Sequence, residues 1–346
     1  MRRTGHRSFH GLRWTFLLLL VVTGLANGGL TGLVHDIDDD SIRIAFIDSA
    51  DGSVSLGTAS IKECCYLGAG LSAVDSDQGR VFALGTPTSG PNSGDPVLMT
   101  LGMDGESAFS ISLGEIPKSV LAWDSQSEQL ISVVTAVSPA RTQWITIDPL
   151  DGSVDALGDA SADCCELIPG MADVGDIPDN GRGLFTIGRP FGASEWLLLV
   201  VDLASGEIDN LATLPPGRPG FLVFDDESGQ IDVLIQTSLD DASLLFRINP
   251  ADGSVTEQAV NSTENCCLTS PGDMASQSKG VTGATWWVGG KDVNGTPTPG
   301  FFTLSATDSN ALSNRVTLDG NLFLHALIVS GSVVDPGLLF QDRFEP

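Results

Sequence analysis

The chain of 346 residues carries 17 Lys and Arg against 44 Asp and Glu, a formal net charge of −27. That balance excludes a surface built to grip nucleic acid or anionic lipid, which needs clustered cations. Forty residues are glycine and only 18% are charged, as expected of many short strands joined by tight turns; at this length a single domain is normally a barrel or a repeat architecture.

The first element is a leader. Arg2, Arg3, Arg7 and Arg13 form a positive region, Trp14 to Val22 an apolar stretch, and Gly24, Ala26 and Gly28 supply small residues for cleavage, the pattern of a secretory signal peptide over residues 1–26. A spanning helix needs roughly 20 apolar residues, and Thr23, Gly24 and Asn27 interrupt the run too early. The expectation is a secreted, periplasmic or cell-surface protein of bacterial type, monomeric, with no membrane span once the leader is removed. Cleavage takes away four arginines and no acid, so the net charge moves from −27 to about −31. Export also favours oxidation of the six cysteines.

Next comes "HDIDDDS", in which Asp36, Asp38 and Asp40 alternate as the carboxylates of calcium loops do. An EF-hand pattern requires Gly at 41 and Glu at 47, where the chain has Ser41 and Ile47. A calcium site here competes with a solvated acidic turn before a strand.

The strongest signal follows. "DGSV" opens at Asp51, Asp151 and Asp252, in steps of 100 and 101 residues, with fainter copies around Gly105 and Gly206 and a degraded sixth in "GFFTLSATDSNALSNRVTL". The unit is about 50 residues, and the 100-residue period is a pair of units. Alternation in Trp144-Ile145-Thr146-Ile147 and Leu245-Phe246-Arg247-Ile248 predicts half-buried strands. Pro149 and Pro250 suit the first central position of a type I turn, and Gly152 and Gly253 suit the left-handed position after it. A second hairpin, "GLSAVDSDQGRVFALG" in its clearest form, completes four strands per unit. No segment of more than ten residues beyond the leader has a helical period. The expectation is an all-β chain: a six-bladed β-propeller over residues 27–337 built from three double-blade repeats of about 100 residues, with a tail at 338–346. A pair of β-sandwiches does not explain six units of constant length.

The phrase "IDPLDGSV", the loop after it, and "GLSAVDSDQGRVFALG" resemble the blades of lactonase-like and quinoprotein-dehydrogenase-like β-propellers over residues 40 to 335. The resemblance implies that the Asp-Gly hairpin joins the two outer strands of a blade. It implies also that Ala69–Asp75, Val120–Asp124 and Phe221–Asp225 are innermost strands lining a channel, with the preceding loops rimming its mouth.

All six cysteines fall in those loops, as Cys64-Cys65, Cys164-Cys165 and Cys266-Cys267. From Asp51 to Asp75 is 24 residues and from Asp104 to Asp124 is 20, so the cysteine-bearing loop reads about four residues longer, on alternate units. Each pair closes on itself as a vicinal disulfide, links to its neighbours as a triangle of inter-repeat bonds, or binds a soft metal. A strained vicinal ring makes a rigid apolar knob suited to lie under a ligand, and a rim without ligand is its plain structural counterpart. Together with Tyr66 and His325 these cysteines form the candidate ligand-binding rim.

Little else carries chemistry. The mature chain has two histidines, His35 and His325, the latter in "LFLHALIV" on an inner strand of the last unit. No metalloprotease, P-loop, nucleophile-elbow or dinucleotide motif occurs. Lactonase-like enzymes gather acids around a metal in the channel; Asp75, Asp124 and Asp225 fall at strand ends, where Asp commonly caps its own turn. Asn261 and Asn294 lie in N-x-T sequons. "GLLFQDRFEP" resembles short "F-x-D-x-F-E" tails of exported Gram-negative proteins, through Phe340, Asp342, Phe344 and Glu345. The leading expectation is a secreted, non-catalytic propeller that binds or scaffolds a small molecule, glycan or protein, with no cofactor but calcium as a candidate. The alternatives are a metal-assisted hydrolase or lyase with its site at the channel mouth, and an envelope protein held by its tail.

Overall fold

The computed structural model describes residues 30–48, 51–62, 66–87, 94–113, 120–137, 140–161, 165–177, 181–225, 228–236, 243–259, 261–262, 275–280, 283–290, 300–305, 311–317 and 322–329, the last stretches from Gln258 onward by backbone alone. The leader, the C-terminal tail, Asn294 and every cysteine but Cys165 lie outside them.

Among these residues the structure is strands and turns. Sheet I takes β1 (Leu30–Asp36), β2 (Ser41–Ile47) and β3 (Val54–Lys62); sheet II takes β4 (Tyr66–Asp75), β5 (Arg80–Thr86), β6 (Val97–Gly102) and β7 (Ala108–Ser112). Sheet III holds β8 (Leu121–Asp124), β9 (Gln129–Val137), β10 (Ala140–Ile147) and β11 (Val154–Ser161), and sheet IV holds β12 (Glu166–Ile177), β13 (Gly181–Arg189), β14 (Leu197–Asp202) and β15 (Ile208–Thr213). Sheet V holds β16 (Arg218–Asp225), β17 (Gln230–Gln236), β18 (Ser243–Ile248) and β19 (Val255–Ala259). In sheet VI, β20 (Asn261–Ser262) runs parallel beside β24 (Ala311–Thr317), which follows β21 (Ala275–Gly280), β22 (Gly283–Gly290) and β23 (Gly300–Ser305). The last strand, β25 (Leu322–Val329), pairs antiparallel with β1 and completes sheet I. The first strands touch in the order β4, β8, β12, β16, β21, β25, and β25 touches β4.

The sequence periods explain the strands. Middle strands such as β6, buried at every residue, lie between two neighbouring sheets, so they read as continuous apolar runs. Outermost strands such as β7 and β11 are half exposed and carry polar residues. Among the described side chains, four core layers fill the spaces between successive sheets from I to V. Leu33, Ile44, Val81 and Met99 meet between I and II; Phe82, Leu98, Leu121 and Ile145 between II and III; Trp144, Val133, Leu184 and Leu199 between III and IV; Phe185, Leu198, Phe224 and Phe246 between IV and V.

The Asp-Gly turns do more than reverse the chain. The Asp148–Ser153 turn is a four-residue loop: the Gly152 amide donates to the Asp148 carbonyl at 2.9 Å and the Asp148 amide to the Ser153 carbonyl at 2.9 Å. Its glycine, at φ 74°, leans on the outermost strand of the preceding sheet, where an added Cβ would meet the Ser112 carbonyl oxygen at 3.3 Å. Gly206 seats in the same way on β11, a Cβ there falling 2.4 Å from the Leu157 carbonyl oxygen, and Gly253 seats on β15, 2.2 Å from that of Leu211. The Gly105 turn is sealed to β3 by a bond from the Ala59 amide to the Gly105 carbonyl at 2.8 Å. Sheets II to V thus each hook onto the edge of the one before, and at Gly206 and Gly253 a side chain cannot fit between.

Two expectations shift. The added length of the cysteine-bearing units goes into the inner strands: β4 and β12 each carry a wide bulge, between Leu67 and Ser72 and between Leu167 and Ala172, where four residues oppose one. These two strands touch although β8 stands between them in order. His325 belongs to sheet I rather than to the last sheet, because β25 closes against β1. It occupies the extra position where Leu33 faces Ala326 and Val34 faces Leu324.

The interlock gives a clean test. Gly229 is also left-handed, at φ 63°, but a Cβ there meets nothing within 4 Å. In urea denaturation, Gly229→Ala is expected to cost about 1 kcal/mol and Gly206→Ala roughly 2–4 kcal/mol; equal losses would remove the hook from the account of stability.

Candidate functional site

Strand registers define two edges around the ring of first strands. Asp75 pairs with Arg80 and Arg80 with Gly102, so the end of an inner strand and the outer hairpin share one edge. Leu322, Asp36, Ser41 and Lys62 align on the other, together with the hairpin of residues 37–40; Cys165, just before β12 begins at Glu166, lies on this cysteine edge.

On the cysteine edge, Cys165 is buried between sheets III and IV beside Trp144, Val120 and Leu184. Its amide donates to Thr142 Oγ1 at 2.8 Å. No described cysteine is a free thiol, and Cys165 is disulfide-bonded, its partner lying outside the described residues. This half of the pair therefore faces the inter-sheet core and offers no surface to a ligand, contrary to a rim position. Tyr66 opens β4 opposite Thr86. Cys64, Cys65, Cys164, Cys266 and Cys267 lie outside the described residues.

The calcium candidate does not assemble. Asp36 Oδ1 accepts the Asp38 amide at 3.1 Å, Asp40 Oδ1 meets His35 Nε2 at 3.0 Å, and Asp39 binds Arg43 and Ser41. The carboxylates of Asp36, Asp38 and Asp40 do not converge, and among the described residues no three His, Cys, Asp or Glu side chains gather around a common point. Alternating carboxylates on an exposed hairpin satisfy their own turn first.

Beside Cys165, Glu166 and Arg189 face each other across β12 and β13. Arg189 donates two parallel bonds, Nε to Oε2 at 2.9 Å and Nη2 to Oε1 at 3.0 Å, and stacks 4.3 Å from the ring of Trp196. That bond holds the Glu166 carboxyl below its usual range.

The opposite edge carries a belt of buried acids. Asp75 accepts Arg80 Nη2 at 2.6 Å and Nε at 3.0 Å, and caps the Gln78 amide at 3.1 Å. Arg80 in turn lies 5.7 Å from the ring of Trp123 in the next sheet. Asp124 accepts Ser127 Oγ at 2.6 Å and, from sheet IV, Arg182 Nη2 at 2.9 Å and Nε at 3.1 Å; Arg182 Nη1 also reaches Asp176 at 3.1 Å. Burial alone raises the Asp124 carboxyl, but the bonds from Ser127 and Arg182 outweigh it and leave the group below its usual range. Asp225 accepts Ser228 Oγ at 2.7 Å. Asp232 is fully buried; Arg247 donates to both its oxygens, at 2.9 and 3.2 Å, yet burial still pushes its carboxyl up. On β12, Asp173 Oδ2 accepts the Phe224 amide of β16 at 2.8 Å and ties two inner strands together.

Sequence reasoning placed Asp75, Asp124 and Asp225 at their strand ends and in their turns. It missed Arg80, Arg182, Arg247, Asp232 and Arg189. The available signal was scarcity: with 17 cationic residues in the chain, an Arg just after a Gly in the turn, as in "QGR" and "NGR", is notable. The arrangement can clamp strands and sheets: Asp75, Asp124 and Asp232 each hold a guanidinium, while Asp225 and Asp173 accept from a serine hydroxyl and a backbone amide.

No protein-family description matches the chain, and no curated protein does. Solved structures do. A chain of a nidogen/laminin complex is similar at 13% identity with a TM-score of 0.54, covering 88% of this chain and 99% of that one. TolB from Acinetobacter baumannii is similar at 11% identity and 0.51, covering 86% and 67%. An oligogalacturonate lyase from Vibrio parahaemolyticus is similar at 10% and 0.50, covering 85% and 82%. At such identities the likeness concerns the fold: an all-β structure of four-stranded antiparallel sheets of the β-propeller kind. Among the described residues no helix is long and apolar enough to cross a membrane.

Arg182→Met leaves Asp124 buried without its cation. The expected loss at pH 7 is about 1–3 kcal/mol, below that of a wholly buried pair because Arg182 keeps contact with water. Asp124 is lowered in the folded state, so its contribution is present above the ordinary carboxylate pKa of about 4 and fades as pH falls through the folded value. Urea midpoints of the two proteins should converge as pH is lowered below 4; a gap that stays constant would show that the pair contributes nothing.

Proposed function

We propose that the chain is a secreted, six-bladed β-propeller of three double-blade repeats, acting as a non-catalytic binding or scaffold module. The observation that carries this reading is the use of its axial acids. Asp75 and Asp124 are spent on Arg80 and Arg182, and Asp225 binds the serine of its own turn. Lactonase-like enzymes gather acids around a metal in the channel, whereas these three acids bind partners in and around the turns at the strand ends. The cysteine edge, opposite this belt, is the face assigned to a small molecule, glycan or protein partner. The leader pattern supports export, and the acidic surface supports solubility of a monomer.

The test uses the mature chain, residues 27–346, with chromogenic lactone, ester and uronate substrates, with calcium, manganese or zinc added, and again with excess EDTA. No turnover and no metal-dependent rise in melting temperature are expected. Metal-dependent turnover abolished by EDTA would overturn the non-catalytic reading in favour of a hydrolase or lyase.

For the cysteines, the proposal is that each pair closes on itself. The burial of Cys165 in one inter-sheet layer, packed against Trp144 and Leu184, supports a local partner. The rival triangle needs Cα atoms of separate repeats within about 7 Å. Non-reducing peptide mapping should give three Cys-Cys peptides each lighter by two hydrogens than the reduced form. Peptides cross-linked between repeats would establish the triangle instead.

A further inference from the structure

We propose that the Asp-Gly bonds at Asp51, Asp104, Asp151 and Asp252 are latent sites of self-modification, aspartate isomerisation, which the fold holds unreactive. In an Asp-Gly pair the glycine amide nitrogen attacks the side-chain carboxyl carbon. A C–N bond forms, the C–OH bond breaks, and one water leaves with the amide proton, giving a five-membered succinimide. Hydrolysis returns the water and yields aspartate or isoaspartate, whose backbone runs through the side-chain carboxyl and is one methylene longer. Nothing is oxidised or reduced, and glycine permits the reaction because no Cβ shields its nitrogen.

At Gly105, Gly152 and Gly253 the product would do most harm, since there the glycine is also the residue that seats against the preceding sheet. In all four turns two hydrogen bonds oppose the reaction. The glycine amide is engaged, donating to the carbonyl of Asp48 at 2.8 Å, Gly102 at 2.9 Å, Asp148 at 2.9 Å and Asn249 at 2.9 Å for Gly52, Gly105, Gly152 and Gly253 respectively. The carboxylate is also engaged, since its Oδ1 accepts the amide two residues on: Ser53 at 2.8 Å, Glu106 at 2.9 Å, Ser153 at 2.8 Å and Ser254 at 2.9 Å. A carboxylate bound to the amide beyond the glycine is turned from the glycine nitrogen, and its ionised form is the one without a leaving hydroxyl. The same bonds lower the acids: the Ser53 and Ser153 amides act first on Asp51 and Asp151, and the Ser254 hydroxyl on Asp252. Reaction thus requires the turn to open, which at Gly105, Gly152 and Gly253 also disturbs the contact with the preceding sheet.

The test incubates the mature chain for weeks at 37 °C and pH 6, folded and in guanidinium, and quantifies isoaspartate at each site by mass spectrometry. Conversion at the four sites is expected to be at least about tenfold slower in the folded chain; equal rates would overturn the proposal. Ser153→Pro removes the amide that holds Asp151 and leaves Asp51 and Asp252 as standards in the same molecule. A several-fold rise confined to Asp151 is expected, and an unchanged Asp151 rate would count against the carboxylate bond. Should the variant unfold, all sites would rise together, and the folded-to-unfolded ratio of the unaltered chain still decides.

Discussion

The contact on which the structure depends is a glycine against a carbonyl. Each outer hairpin must come within van der Waals distance of the preceding sheet's edge, and at Gly206 and Gly253 the space is smaller than a methyl group. The same residue also takes the left-handed backbone that closes the turn. Two demands, one conformational and one steric, thus select the same amino acid. That double selection explains why the glycine persists in units whose other residues have drifted, even where Ser205 replaces the aspartate before it. The hook also settles the spacing of the sheets, and with it the thickness of the apolar layers that Phe82, Trp144 and Phe185 fill.

On this frame the charged residues serve as ties. Guanidinium groups bind Asp75 and Asp232 within a sheet and Asp124 between sheets. Ion pairs of this kind contribute less to stability than to geometry, because much of the attraction offsets the cost of dehydrating both partners. They hold the ends of inner strands at fixed separations. Two of those strands bulge enough to touch each other past a third, so the axis between them is narrow.

Local features were legible in the sequence, and non-local ones were not. Alternation at Trp144–Ile147 and Leu245–Ile248 marked real strands, β10 and β18, and the Asp-Gly turns took the glycine conformation their spelling required. The acids at 75, 124 and 225 were recognisable as turn caps because their partners lie a few residues away. Arg182, by contrast, reaches an acid 58 positions earlier, a distance at which one sequence offers no rule. The extra residues of alternate units counted correctly, yet counting could not say whether they lengthened a loop or bulged a strand. Adjacent cysteines suggested an exposed rim since loops are usually on the surface; Cys165 instead packs into the apolar layer that Trp144 lines, where a sulfur behaves as a small hydrophobe.

Sheet I is assembled from both ends of the described chain, β1 at Leu30 lying against β25, which ends at Val329. Its inner edge therefore stays vacant until the final strand has been made, and every earlier sheet waits as part of an open arc. The ring of sheets is thus closed by the pairing of its most distant strands, and the step that completes it is the last one the chain can take.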